Sequence, residues 1–308
     1  MENWLSLFLS VGSLITCVTV FGGCSSIQSR DSGSSHSEGA SVEKNPMGRP
    51  ESPSGSPPLV SLELKGEPGR KERLWYYSSS VVETREDGQL TRRKDEDVEF
   101  VVESRFKEAP SGTVLFESET IRKDGPVRLH DLAYPELGDK IEMALEKTGT
   151  VQKAGDYPSS SVFFVPPIAL PKNPVRVGDT WTLTHAWASM SNGIPLLADL
   201  VFIFSSVHPC GEGRCADLEV SGEVSIAGNV VRNIEFSSQV RGHLLFSIEQ
   251  GSVVASRIAN REEMKAGETV MSVSSCMEGQ MQEPQIRVKD LNLKPTPCVP
   301  GQFKAEYF

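Results

Sequence analysis

Reaction chemistry has few footholds in this sequence. Histidine occurs five times in 308 residues, at His36, His130, His185, His208 and His243. No two of them are spaced as His-x-x-x-His or joined to Glu as a metal pair requires. A Gly-x-Ser-x-Gly elbow and a phosphate loop are also missing, which removes the usual signatures of serine hydrolases and nucleotide-binding enzymes. Positive charge is in deficit: 31 Lys and Arg against 41 Asp and Glu leave a net charge of −10, which disfavours a phosphate-backbone partner. The expectation is a protein that is no enzyme, holds no cofactor or metal, and has no nucleic-acid partner.

Basic residues are lacking at the start as well. Met1, Glu2 and Asn3 precede an apolar stretch from Trp4 to Phe21, which runs into Phe21-Gly22-Gly23-Cys24. An apolar core followed by small residues is the layout of a secretion signal, and Gly23-Cys24 resembles the end of a lipoprotein signal. Cys24 is therefore expected to carry acyl lipid, palmitate included, after cleavage. Two other readings compete: an uncleaved helix, for which about 18 apolar residues reach the lower bound for spanning a bilayer, and cleavage without lipid. Residues 1–24 form this signal or anchor. Residues 25–58, rich in Ser, Pro and Gly with almost no aliphatic content, are expected to be a disordered tether with an end-to-end distance on the order of 30 Å.

Setting aside Cys17 and Cys24, four cysteines remain, Cys210, Cys215, Cys276 and Cys298, an even set which in an exported protein reads as two disulfides with three possible connectivities. The expected pairs are Cys210 with Cys215, across a segment holding two glycines, and Cys276 with Cys298. A four-thiolate zinc site is the competing use of the same residues, but Cys276 and Cys298 lie too far apart for a second zinc knuckle.

What the chain has in quantity is alternation with a period of two. Ile234, Phe236, Val240, Leu244, Phe246 and Ile248 share one parity; Val98, Phe100, Val102 and Phe106 do the same in another stretch, and Leu218, Val220, Val224 and Ile226, then Trp181, Leu183 and Trp187, repeat the pattern. One-sided alternation predicts antiparallel sheet with one buried face. Glu86-Asp87-Gly88, Lys123-Asp124-Gly125, Lys147-Thr148-Gly149, Glu249-Gln250-Gly251 and Lys265-Ala266-Gly267 each offer a glycine where a hairpin reverses. Arg92 to Asp97 reads as a solvated turn region. Pro166, Pro167, Pro171 and Pro174 interrupt sheet pairing and divide the body into residues 59–168 and 169–282, with a tail, 283–308, held by a disulfide. The fold class is all-β, either two-lobed or a single large open half-barrel.

The Leu170–Trp181 stretch, Leu-Pro-x-x-Pro-Val-x-Val-Gly-Asp-Thr-Trp, and the Gly242–Gly251 hairpin resemble a group of uncharacterised bacterial envelope lipoproteins, over the span Leu74 to Val273. Those in turn are similar to half-barrel lipoproteins of the LolA and LppX type, whose concave face holds lipid acyl chains. The resemblance implies a lipid-anchored envelope protein, and Ser25 after Cys24 implies the outer membrane, facing the periplasm. Leu196, Leu197, Leu200, Val201, Phe202, Ile203 and Phe204 are apolar on both strand faces, so Leu200, Phe202 and Phe204 are candidates to line a cavity for a lipid or other hydrophobic small molecule. The alternative is a structural or interaction subunit of an envelope complex, with a protein partner at a sheet edge. A filled interior would favour the second.

Overall fold

The structure is a computed structural model that describes residues 58–165, 167–189, 193–211, 213–228 and 234–284. The apolar start, Cys24, the tether to residue 57, and the tail from residue 285 with Cys298 lie outside the described residues. Among the described residues there are eleven strands: β1 (Lys71–Glu86), β2 (Gln89–Lys107), β3 (Thr113–Asp124), β4 (Lys140–Glu146), β5 (Val151–Ala154), β6 (Thr180–Ala188), β7 (Pro195–Cys210), β8 (Gly213–Ile226), β9 (Ile234–Ser247), β10 (Ser252–Ala266) and β11 (Thr269–Glu283). They form one antiparallel sheet in the order β5-β4-β3-β2-β1-β11-β10-β9-β8-β7-β6. The sheet does not close, so the fold is all-β, an open half-barrel whose edges are β5 and β6. No helix among the described residues is long and apolar enough to cross a membrane.

Alternation decides which face is inward. Val98, Phe100 and Val102 on β2, Ile141, Met143 and Leu145 on β4, Leu218, Val220 and Val224 on β8, and Val240, Leu244 and Phe246 on β9 are buried in one continuous core. Residues 59–168 and 169–282 both contribute strands to this sheet and side chains to this core. The proline-rich stretch between them is where the chain leaves edge β5 and crosses to edge β6. The pairing that joins the two runs, β1 with β11, sets Tyr76 opposite Gly279, partners some 200 residues apart.

Four of the five expected turns connect neighbouring strands. At the β1–β2 turn Asp87 and Gly88 have φ of 50° and 77°, the pair of positive values a type I′ hairpin needs. Gly125 is the exception: after it the chain leaves the sheet, runs through a 3-10 turn at Leu129–Leu132 and returns only at Lys140. The Arg92–Asp97 run also differs from expectation, because it lies within β2 as exposed strand rather than in a turn. Its side chains pair across and along the strands, Arg93 with Glu83 at 3.2 Å and with Asp95 at 3.1 Å.

Candidate functional site

Leu200, Phe202 and Phe204 lie on the inward face of β7 and are almost wholly buried, at 3%, 3% and 0% exposure. Val201, on the opposite face, is 38% exposed. One face of β7 therefore meets solvent and the other meets protein. Trp181 on β6 stacks on Phe202 with ring centroids 5.9 Å apart, and its Nε1–H donates to the carbonyl of Ala169 at 2.9 Å. The three candidates for a lipid cavity are thus packed beneath the crossing segment.

Three stretches without strand structure fill the rest of the concave face. The first, residues 125–139, brings in Leu129, Leu132 and Tyr134; the ring of Tyr134 lies 4.9 Å from both Tyr76 and Phe100. It is pinned by Thr120 Oγ1, which donates to the carbonyl of Pro135 at 2.7 Å, and by the Glu136 carboxylate, which accepts from the Leu129 N–H at 2.7 Å. Burial opposes ionisation of Glu136, yet Lys123 and the His130 and Leu129 N–H groups hold its carboxyl below the usual range. The second, the crossing segment 155–179, supplies Val162, Phe163, Val165, Ile168 and Leu170 and spans the opening: Leu170 N–H donates to the carbonyl of Thr148 beyond β4, and Ala188 N–H of β6 donates to the carbonyl of Ser160. The third, residues 58–66, adds Val60 and Leu62, bridged to the crossing segment at Val60–Val175. Among the described residues, depressions of about 410 and 320 Å³ are lined in part by Glu63, Lys147 and Lys172 and by Val60, Lys65, Arg214 and Ile248.

One part of the inward face is polar. On β9 and β10, Ser238 Oγ donates to Asn260 Oδ1 at 2.8 Å, and Asn260 Nδ2 donates to Glu262 Oε1. Glu262 is 2% exposed, and its Oε2 has no partner among the described residues, nor has the neighbouring Ser275 Oγ on β11. Burial drives the Glu262 carboxyl well above the ordinary carboxylate range, with Asn260 opposing weakly. Sequence reading missed this group, although the alternation Ile258, Asn260, Glu262, Met264 was the available signal. A carboxyl raised in the fold favours the native state at low pH, and that contribution is lost as pH rises through the folded value. Glu262→Gln should therefore match the wild type near pH 4 and exceed it at pH 8, by about 1.4 kcal/mol for each unit by which the folded value lies above the unfolded one. Thermal melts at both pH values check this; a gap that does not widen with pH refutes it.

The outward face carries Cys210 and Cys215, joined across the β7–β8 turn with Cα atoms 5.3 Å apart. Cys276 on β11 is disulfide-bonded too, whereas Cys298, the partner expected for it, lies outside the described residues. Nearby, His243 Nδ1 lies 3.4 Å from Asp217 Oδ1, and this contact raises the imidazole above its ordinary value against the effect of burial. Ser206 Oγ and His208 Nε2 are 2.8 Å apart on the exposed part of β7. His185 shares the inward parity of Trp181 and Trp187, and its Nε2 and the Trp187 Nε1 have no partner among the described residues.

The two sheet edges differ. β5 is four residues long and carries Lys153, features that discourage further pairing; both edges contact the 3-10 turn at Val162–Phe164 of the crossing segment. β6 is nine residues, Thr-Trp-Thr-Leu-Thr-His-Ala-Trp-Ala, with no Lys, Glu, Asp, Arg, Pro or Gly. Ala188 N–H points away from β7 to reach Ser160, and backbone direction alternates along a strand. Thr180, Thr182, Thr184 and Ala186 hence aim their N–H and C=O groups at the same side, where they make no backbone hydrogen bond with a described residue.

No protein-family model matches the chain, and no curated protein does. Among solved structures, the hypothetical lipoprotein YmcC from Escherichia coli K12 is similar at 11% identity, covering 65% of this chain and 83% of its own, with a TM-score of 0.26. An outer membrane channel from Pseudomonas putida F1 is similar at 9% identity, covering 71% and 97%, with a TM-score of 0.21.

Proposed function

We propose that this protein is a lipid-anchored subunit of the bacterial cell envelope, facing the periplasm from the outer membrane, that holds a protein partner by strand addition along β6. The observation that carries the reading is an uncharged edge strand, unpaired among the described residues, on a sheet whose concave face is packed with side chains. Edge pairing supplies main-chain hydrogen bonds without requiring a cavity. The anchor rests on the apolar start, on Cys24 followed by Ser25, and on the Ser- and Pro-rich residues 25–58. No reaction is part of this role.

The lipid-carrier reading draws on the curved apolar sheet and on Leu200, Phe202 and Phe204. It requires the crossing segment to leave the inward face before a ligand enters. Native mass spectrometry of protein released from its anchor should show ligand-free mass; a retained lipid would restore the carrier. A photo-crosslinking residue at Thr182 in intact cells should capture one defined protein species, and the same probe at Gly112, in the β2–β3 turn, should not. Failure of capture at Thr182 removes the strand-accepting role.

A further inference from the structure

Resting on that reading of β6 as a strand acceptor, we propose that the strand it accepts is β6 of a second copy, paired antiparallel about a two-fold axis through Leu183. The edge-facing residues are Thr180, Thr182, Thr184 and Ala186. Centring on Leu183 sets Thr180 against Ala186 of the other copy and Thr182 against Thr184, so that all four use both backbone groups and eight hydrogen bonds form. A centre further along the strand would drive the second copy into Ser160, whose carbonyl already takes the Ala188 N–H at 2.7 Å. A centre nearer the start would leave Ala186 unpaired.

The side chains suit this register. Thr180 to Ala186 reads Thr-Trp-Thr-Leu-Thr-His-Ala, nearly the same in either direction about Leu183. The inward pairs become Leu183 with Leu183 and Trp181 with His185. The outward pairs are Thr182 with Thr184 and Thr180 with Ala186, all exposed in the single copy. No charge faces its like across the seam, which matters for a chain of net charge −10, because like charges directly opposed weaken a strand pair. A two-fold contact must be complementary to itself, and this edge is.

The test is sedimentation of the folded protein across concentrations, with two variants. Since a single strand pair lies below the size of a standard stable interface, the dimer should form at about micromolar concentration or above. Thr180→Lys with Ala186→Lys, which places lysines opposite each other at exposed positions, should raise the dissociation constant at least tenfold while leaving circular dichroism unchanged. Thr182→Cys with Thr184→Cys should yield a covalent dimer on mild oxidation, because opposed residues lie about 5.5 Å apart at Cα; Thr180→Cys with Thr182→Cys, out of register, should not. A monomer at all concentrations with no register-specific crosslink overturns self-pairing. If its Thr182 and Thr184 amides are nonetheless protected from hydrogen exchange, strand acceptance stands with another occupant; if they exchange freely and the Thr182 photo-crosslink also fails, both readings fall.

Discussion

A Phe204→Ala variant is expected to lose about 3–5 kcal/mol of unfolding free energy, the range for removing a large aromatic side chain from a packed core. Phe204 is fully buried on β7, and its own N–H and C=O are engaged with Asp179 and Gly178 at the end of the crossing segment. Neither backbone nor neighbours can collapse readily onto the space left by the ring. In a fold of this size, each kcal/mol shifts the melting temperature by about 2–4 °C, so the loss should be visible as a fall of roughly 10 °C. Val201→Ala, three residues earlier on the exposed face, should stay within about 0.5 kcal/mol of the wild type. Urea titrations with unchanged m-values would verify both. If Phe204→Ala melted with the wild type, the ring would have to face empty space, and the inward side of β7 would regain its standing as a ligand wall.

How much of this was legible before the structure follows from what local sequence can encode. Alternation at Val98–Phe106 and at Ile234–Ile248 gave the all-β class and the buried face, because a strand's period of two is a local property. The same rule held for Leu200, Phe202 and Phe204, whose inward direction was readable. What covers them was not, since Val162–Leu170 and Leu129–Tyr134 have no period and act through contacts with strands distant in the chain. Strand order was hidden for the same reason: nothing near Tyr76 specifies Gly279. Gly125 looked like a hairpin turn because Lys-Asp-Gly has the chemistry of one, while the chain there departs to cover the sheet. The absence of charge from Thr180 to Ala188 was visible, but its meaning depends on β6 being an edge, which only the topology shows.

The crossing segment is what separates a packed half-barrel from an open one, and Gly149 tests it. This glycine sits in the β4–β5 turn with φ of 98°, and a Cβ built there would lie 1.8 Å from the carbonyl oxygen of Ile168 and 3.0 Å from its carbon. Both atoms are backbone, so no side chain can turn aside to make room. Gly149→Ala should therefore push Ile168 away and break the adjacent hydrogen bond from Leu170 N–H to the Thr148 carbonyl at 2.9 Å. Strained backbone costs about 1–3 kcal/mol and the lost bond about 1 more, before any exposure of Ile168 and Leu170 to water. Gly88→Ala has similar backbone strain, φ of 77°, but no atom within 4 Å of the added carbon, so it should cost only the strain. The difference between the two variants isolates the docking of the crossing segment. Gly149→Ala should also bind a fluorescent apolar dye such as ANS under native conditions, where wild type and Gly88→Ala do not. Equal stability of the two variants, with no dye binding, would show that the crossing segment is not what fills the concave face, and the case for β6 as the working surface would weaken with it.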